Sequence, residues 1–130
     1  MPLPCRLGVM QGRLLPKLDG RYQAHPKGYW QDEFPLAASL GLDLIEFILD
    51  RDDADKNPLF AAVAAIRAAS AASGVGVASI CADYFMDEPL HRPDSAGGSI
   101  AALDRLLNAA HALGASEIVI PCGDRARLAD

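Results

Sequence analysis

GLDLIEFILD, residues 41–50, joins a helix end to a short apolar strand and a carboxylate. Gly41 follows the helical stretch AASL and suits the left-handed conformation just past a helix C-terminus, where other residues meet a Cβ clash. Residues 44–49 are apolar on both faces apart from Glu46, which predicts a parallel strand covered on both sides. Glu46 points into one covered layer, where an acid is costly unless it is paired, hydrogen-bonded or bound to a ligand.

The same pattern recurs along the chain. Gly74 leads into VGVASICAD and Gly114 leads into ASEIVIPCGD, so these strands end on Asp83 and Asp124 as the second strand ends on Asp50. An earlier strand, RLGVMQGR at residues 6–13, has the same apolar start and polar finish. Because a helical pattern separates each pair of strands, the repeat predicts four parallel strands in chain order with crossover helices on one outer face.

The helices are predicted from apolar periodicity and start signals. The first spans residues 30–40, with Pro35 in its first turn and an N-cap near residue 31 or 32. Asn57 and Pro58 start the second, an Ala-rich helix over residues 59–73. The third is capped by Ser95 or Ser99 and is expected to bury four residues, Ile100, Leu103, Leu107 and Ala110.

Alternation along residues 75–83 assigns the faces of the third strand. Val75, Val77, Ser79, Cys81 and Asp83 are predicted to share one face, opposite Gly76, Ala78, Ile80 and Ala82. By the same parity, Glu46 and Asp83 are expected to lie away from the helix-packed layer.

Composition limits the class of protein. The chain is 51% hydrophobic and 22% charged, as in ordinary globular domains, and its net charge of −5 argues against a nucleic-acid or anionic-membrane partner. No apolar run reaches the roughly 18 residues of a membrane span, and no signal-peptide pattern opens the chain, so a cytoplasmic location is expected. Cys5, Cys81 and Cys122 form no CxxC pair and are interpreted as reduced thiols in or beside the core.

The loops differ in length at the two ends of the sheet. Loops after strands are long and polar, whereas loops after helices are a glycine and one or two further residues. In parallel α/β folds the functional site lies at the strand C-termini, so the long loops predict its location.

Four β/α repeats are half of a closed barrel, which needs about 250 residues. The 130 residues are therefore interpreted as one domain, the first half of a (β/α)8 TIM barrel. Half a barrel has open strand edges and an uncovered interior, so we expect it to belong to a larger protein or to pair, as in a homo-oligomer.

Four segments resemble one known family. LGVMQGRLLP, LIEFILD, ICADYFM and IVIPCGD, in this order along the whole chain, are similar to the sugar phosphate isomerase/epimerase family of xylose-isomerase-like TIM barrels. The resemblance implies an enzyme that uses a divalent metal (Mn, Mg, Co or Zn) to isomerise or epimerise a keto sugar or sugar phosphate. It also implies that the metal ligands come from strands five to eight, outside this chain.

The resemblance implies a substrate-binding role for Gln11, Arg13, Glu46 and Asp83, and no catalytic residue is assigned. Sugar isomerisation needs a base next to a carbonyl and a cation that stabilises the enediolate. This chain offers hydroxyl-binding groups but no recognisable proton-transfer pair. The structural alternative for Glu46 and Arg13 is an ion pair between them.

Other polar residues have two open interpretations each. Asp83 and Asp124 either line a pocket or cap the following segment, and Arg92 or Arg125 either binds a phosphate or is solvated. The same choice between substrate contact and solvation applies to two loop histidines, His25 and His91. His111, near a helix C-terminus, is interpreted as structural.

Three functions compete. The first is the N-terminal part of a sugar isomerase or epimerase that is inactive without its other half. The second is a catalytically incomplete fragment or self-pairing half-barrel. The third, an endonuclease IV-like nucleic-acid enzyme, needs histidines at the ends of the third and fourth strands, which instead read CADYF and PCGD.

Overall fold

A computed structural model describes residues 5–128 and contains one parallel sheet. Within these residues the strands are β1 (Gly8–Met10), β2 (Leu44–Ile48), β3 (Ser79–Cys81) and β4 (Glu117–Val119). They pair in the order β1-β2-β3-β4, and every pairing is parallel. The predicted strand order and direction are confirmed, although each strand is shorter than the sequence pattern indicated.

The helices lie on one face of this sheet, which makes the fold an α/β arrangement. Over the described residues they are α1 (Glu33–Ser39), α2 (Pro58–Ala61), α3 (Val63–Ser73), α4 (Tyr84–Asp87) and α5 (Ala96–Leu113). Along the layer, α1 packs on α3 and α3 packs on α5. The core between helices and sheet includes Phe34, Phe47, Ile66, Ile80 and Leu106, each at most 1% exposed.

The start signals of the first two helices are confirmed. Asp32 occupies the N-cap position of α1, which places Pro35 in the first turn. Asn57 caps α2 by accepting from the Leu59 amide at 2.9 Å, and its own amide donates to the Ile48 carbonyl at 3.0 Å. One side chain therefore begins the helix and attaches it to the end of β2.

The predicted single helix over residues 59–73 is divided at Ala62. Its backbone, at φ −158° and ψ 53°, separates α2 from α3. The residues around Ala62 are mostly alanine, which favours helix more than any other residue. Nothing in the local sequence therefore marks the break.

The predicted strand over residues 75–83, with its strict alternation, is wrong in its first half. Val75 and Val77 are buried in the same core as Ile80 and Ala82, whereas the pattern had placed them on the opposite face. Only Ser79–Cys81 is continuous strand, with a single bridge between Gly76 and Leu44 before it. Because the strand is interrupted near Ala78, the chain can turn its valines and Ile80 toward the helices.

The predicted buried stripe of the third helix is also wrong for two residues. Ile100 is 61% exposed and Leu107 is 54% exposed. The buried residues of α5 are Ser99, Ala102, Leu106, Ala109 and Ala110. Apart from Leu106 these side chains are small, which allows α5 to lie close to α2 and α3 and leaves Ile100 and Leu107 on the outer side.

Neither predicted serine makes a side-chain cap on α5. Ser95 is at the N-cap position, but its hydroxyl donates to the Pro89 carbonyl at 2.7 Å. The Ser99 hydroxyl donates to the Glu88 carbonyl at 2.6 Å. Both hydroxyls thus hold the preceding loop against the helix.

The predicted packing of the cysteines in or beside the core is confirmed for one of the three. Cys81 is buried, but Cys5 and Cys122 are exposed, so packing against the core holds for Cys81 alone; all three thiols are free.

Within residues 5–128 no helix is both long enough and apolar enough to cross a membrane.

Candidate functional site

Glu46 lies on the face of the sheet that the helices leave uncovered. Its neighbours Ile45 and Phe47 are fully buried in the helix-packed core, so Glu46 points the other way, as its parity predicted. Its carboxylate accepts a hydrogen bond from the Ser79 hydroxyl at 2.7 Å. β2 and β3 thereby place a half-buried, hydroxyl-bound carboxylate on the open face.

Arg13 does not reach Glu46. The Arg13 side chain is exposed, with a guanidinium nitrogen 4.0 Å from the Met10 sulfur and its guanidinium carbon 5.9 Å from the centre of the Tyr22 ring. The structural alternative for Glu46, an ion pair with Arg13, is therefore wrong. The Glu46 carboxylate accepts instead from the neutral Ser79 hydroxyl.

Asp83 follows β3 and is held by a residue from the loop after β1. Its two carboxylate oxygens accept from the Gln23 amide at 3.0 and 2.8 Å. Asp83 is at the N-cap position of α4 but makes no side-chain cap, so the capping alternative is wrong. The Cys81 thiol donates to Asp83 at 3.3 Å; burial and the nearby carboxylates raise the Cys81 pKa to about 12, which keeps the thiol protonated.

Asp50, two residues beyond β2, lines two cavities at this end of the sheet, although the sequence did not predict it as a binding residue. It is 7% exposed and accepts from the His25 amide at 2.8 Å, with the Arg21 guanidinium 3.9 Å away. Burial raises the Asp50 pKa; the His25 amide and Arg21 oppose this, and the charge of Asp83 adds to it. The signal that could have identified Asp50 is the one used for Asp83, an acid where a strand ends.

Gln11 and His25 form a buried pair at the end of β1. The side-chain oxygen of Gln11, Oε1, accepts from the Ile48 backbone amide at 2.9 Å and lies 3.1 Å from His25 Nδ1. Because that oxygen can only accept, Nδ1 carries the proton. Burial, followed by the positive charge of Lys27, lowers the His25 pKa to about 4, so the imidazole is neutral at physiological pH.

Gln11 is fully buried, so the structure places this predicted substrate-binding residue beneath the strand ends. Its side-chain nitrogen, Nε2, is buried without a hydrogen-bond partner among the described residues. As arranged, Gln11 connects β1, β2 and the loop that carries His25.

Two cavities of about 300 Å³ open beside Asp50, which lines both. One is lined by Arg21, Gln23, Asp83 and Met86, among others. The other includes His25, Lys27, Trp30 and Lys56. Asp50 and Asp83 are thus brought together at the carboxyl end of the sheet, where the long loops predicted a site.

The remaining candidate residues lie apart from these cavities. His91 and Asp124 are exposed, and His111 is exposed in the last turn of α5. The Arg92 guanidinium donates to the Arg125 carbonyl, and the Arg125 guanidinium lies 3.5 Å from Asp87. Both arginines therefore have partners, Arg92 in the segment after β4 and Arg125 at the end of α4.

Comparisons with known proteins add no identification. No model of a protein family matches the chain, and a search of the curated proteins also finds no match. Among residues 5–128, no group of three or more His, Cys, Asp or Glu side chains is arranged to hold a metal ion.

Proposed function

We propose that the chain is the N-terminal half of a (β/α)8 barrel of the sugar phosphate isomerase/epimerase type. In a doubly wound sheet the strand order reverses and helices cover both faces, whereas a barrel adds each strand beside the previous one and keeps its helices outside. The sequential order of β1 to β4 and the single layer of helices support the barrel. The uncovered face of the sheet is then the barrel interior.

We further propose that this half binds the hydroxyl groups of a keto sugar or sugar phosphate. The observation that carries the proposal is the placement of Glu46 on β2 and of Asp83 just after the neighbouring β3, with only neutral donors on their carboxylates. Ser79 donates to Glu46, and Gln23 and the Cys81 thiol donate to Asp83. An ionised carboxylate has about four acceptor positions, so each retains capacity for a substrate hydroxyl.

Asp50 is the group of this half best suited to proton transfer. Proton transfer next to a carbonyl is most efficient when the pKa of the acid or base lies near the working pH. The raised pKa of Asp50 moves it in that direction, and its place between two cavities gives it access to a bound ligand. The second proton-transfer group would come from the other half of the barrel.

The metal that the resemblance implies does not fit the donors of this half alone. Glu46 and Asp83 are oxygen ligands of the kind that Mg²⁺ and Mn²⁺ prefer, but no third ligand joins them among the described residues. A metal site would therefore need ligands from outside the chain, and none of the steps above depends on one.

Glu46→Gln is expected to weaken sugar binding by about tenfold, because a hydrogen bond to a charged acceptor contributes about 1.5–3 kcal/mol. Glutamine keeps the shape of Glu46 and one acceptor oxygen but removes the charge. Binding of D-fructose, D-ribulose and D-fructose 6-phosphate to the chain would be measured by NMR titration.

The matched control is Asp104→Asn, an equal change of charge at an exposed position of α5. It should leave the dissociation constants unchanged. Equal affinities of the wild-type protein and the Glu46 variant for every sugar would remove Glu46 from the site. Absence of binding to the wild-type chain would contradict the proposed hydroxyl-binding role.

The chain alone is expected to show no isomerase or epimerase turnover with added manganese, magnesium or cobalt. The charge that develops on an enediolate needs a counter-ion, and losing such stabilisation costs several kcal/mol of barrier. The same sugars would be assayed with the chain alone and with a longer protein that contains it. Comparable turnover by both would show that this half is catalytically complete.

A further inference from the structure

The cavity that His25 lines, called here the His25 cavity, has both of its walls in the first two β/α units. One wall comes from residues 25–30 of the loop after β1, and the other comes from residues 50–58, which follow β2. His25 is 4% exposed and packs on Phe47 of the helix-packed core, with the ring centres 5.4 Å apart. The cavity therefore lies on the helix side of the strand ends, apart from the open face that carries Glu46.

Two contacts fix which nitrogen of the His25 ring can accept a hydrogen bond. The backbone amide of Ile48 donates to Oε1 of Gln11 at 2.9 Å, and because a backbone N–H can only donate, the orientation of the Gln11 amide is determined. The same oxygen lies 3.1 Å from Nδ1 of His25, so Nδ1 carries the proton. The other ring nitrogen, Nε2, therefore keeps a lone pair.

The Nε2 lone pair of His25 is available in the cavity. Nε2 makes no hydrogen bond within residues 5–128, where the contact of the His25 ring is the one between Nδ1 and Gln11. Among these residues the fully enclosed side-chain nitrogen without a partner is Nε2 of Gln11. Nε2 of His25 is thus not enclosed by protein, and the open space that this side chain lines is the cavity.

Asp50 adds a second acceptor to the same cavity. Its Oδ2 accepts from the His25 backbone amide at 2.8 Å, whereas Oδ1 has no hydrogen-bond partner in the described part of the chain. Two lysines also line the cavity, but Nζ of Lys27 lies 3.2 Å and Nζ of Lys56 lies 4.0 Å from the carboxylate of Asp53. The acceptors are available while the cations already have a partner, which favours a ligand that donates hydrogen bonds over an anion.

We propose that the His25 cavity binds the unphosphorylated end of a sugar, with one hydroxyl donating to Nε2 of His25 and a neighbouring hydroxyl donating to Asp50. Trp30, whose ring meets Phe47 edge-on at 5.7 Å between centres, offers an apolar wall to the C–H groups. An apolar wall with a few fixed polar groups is typical of small-molecule sites. Asp50 also lines the cavity that contains Asp83, so this end of the sugar lies beside the carboxylates assigned above. The inference rests on the proposed sugar-binding function.

The wild-type chain allows a test at the atom concerned. Nitrogen NMR spectra of the histidine rings distinguish a free Nε2 lone pair from one that accepts a hydrogen bond. Replacing the exposed His91 and His111 by asparagine, one at a time, assigns their signals and leaves those of His25. Titration with D-fructose is expected to shift the Nε2 signal of His25 toward that of a hydrogen-bonded nitrogen, whereas Nδ1 should remain protonated.

His25→Asn is expected to weaken the binding of D-fructose by about three- to tenfold, the contribution of one hydrogen bond between neutral groups. Asparagine keeps a donor for Gln11 but removes the Nε2 acceptor from the cavity. His91→Asn, which removes an exposed imidazole, is the matched control and should bind D-fructose as the wild-type chain does. Circular dichroism checks that both variants are folded, and the wild-type titration does not depend on either of them.

Inorganic phosphate distinguishes the two ligand chemistries that this cavity could accept. Phosphate oxygens are chiefly acceptors and gain little from Nε2 of His25 or from the Asp50 carboxylate. An excess of phosphate should therefore neither shift the Nε2 signal nor displace D-fructose. Displacement of the sugar by phosphate would mean that Lys27 and Lys56 form an anion site, and the proposal would be wrong.

The remaining results separate this inference from the proposed function. Sugar binding that leaves the Nε2 signal unmoved, or that is equally strong in a folded His25→Asn variant, would overturn the assignment of the cavity. If Glu46→Gln still weakened binding in that case, the hydroxyl-binding role of Glu46 would stand without the His25 cavity. A response at Nε2 with no effect of Glu46→Gln would give the opposite result. Absence of binding of every sugar to the wild-type chain would contradict both.

Discussion

Glu33→Ala is expected to lower the free energy of unfolding by about 3–5 kcal/mol, a large fraction of the stability of a small domain. Glu33 is fully buried at the start of α1, and its carboxylate accepts from the Gly12 amide at 2.8 and 2.9 Å and from the Leu14 amide at 3.1 Å. Alanine leaves both donors without an acceptor, and of the two the Gly12 amide is buried and the Leu14 amide is partly buried. Urea unfolding measures the loss, and amide exchange at Gly12 and Leu14 shows where it arises.

Two variants define the cause. Glu33→Gln keeps one acceptor oxygen and should cost less than alanine, although its NH₂ group then faces the amide donors. Asp32→Ala changes an exposed neighbour without a side-chain cap and should stay within about 1 kcal/mol. A loss below about 1 kcal/mol for Glu33→Ala, with both amides still protected, would show that Glu33 does not hold the loop after β1.

His25 is expected to make the protein about 3 kcal/mol less stable at about pH 4 than at neutral pH, apart from the effects of other groups. Its pKa is lowered from 6.5 to about 4 in the folded protein, chiefly by burial. A lowered pKa means that the unfolded chain takes up the proton first. The contribution of the neutral imidazole is thus fully present above pH 6.5 and is lost as the pH falls toward 4.

The comparison variant is His25→Asn, whose amide nitrogen can donate to Gln11 in place of Nδ1 but does not titrate. Asp50 binds the backbone amide of residue 25, so that bond is retained. Burial raises the pKa values of Glu33 and Asp50, so their protonation opposes the loss in both proteins. Urea midpoints between about pH 7 and pH 4 should therefore fall more steeply for the wild-type protein than for this variant.

His91→Asn, at an exposed loop position, is the matched control and should keep the wild-type pH profile. Parallel profiles for the wild-type protein and His25→Asn would contradict a buried neutral imidazole. They would also contradict the assignment of the imidazole proton to Nδ1, which rests on the contact between Gln11 and His25.

Local sequence signals determined the succession of elements. A glycine with positive φ follows α1, α3 and α5, at Gly41, Gly74 and Gly114, because only glycine adopts this conformation without strain. Asn57 and Pro58 started α2, since capping and a fixed proline φ act within a few residues. The side of the sheet on which Glu46 lies followed from strand alternation, a backbone property that needs no knowledge of the partners.

Local periodicity did not determine which helix face became buried. The larger residues of α5 suggested a stripe through Ile100 and Leu107, but close packing on α2 and α3 selected small residues such as Ala102 and Ala109. A helix pattern identifies an apolar side only to within part of a turn, and the shape of the neighbouring surface decides the rest. The strand alternation predicted at Val77 is wrong for a related reason. The break near Ala78 allows Val77 and Ile80 to face the same core, although one is odd-numbered and the other even-numbered.

The candidate site depended most on tertiary structure. The sequence showed one acid within the second strand and one at the end of the third, and the family resemblance selected them as Glu46 and Asp83. Neither gave a reason to expect Ser79 or Gln23 as their partners. Each of these bonds joins residues more than thirty positions apart in the chain. The sequence alone determined which elements form and which strand residues face away from the helices. Only the packed chain decided which polar groups lose water and find partners, because desolvation depends on what the rest of the molecule places around them.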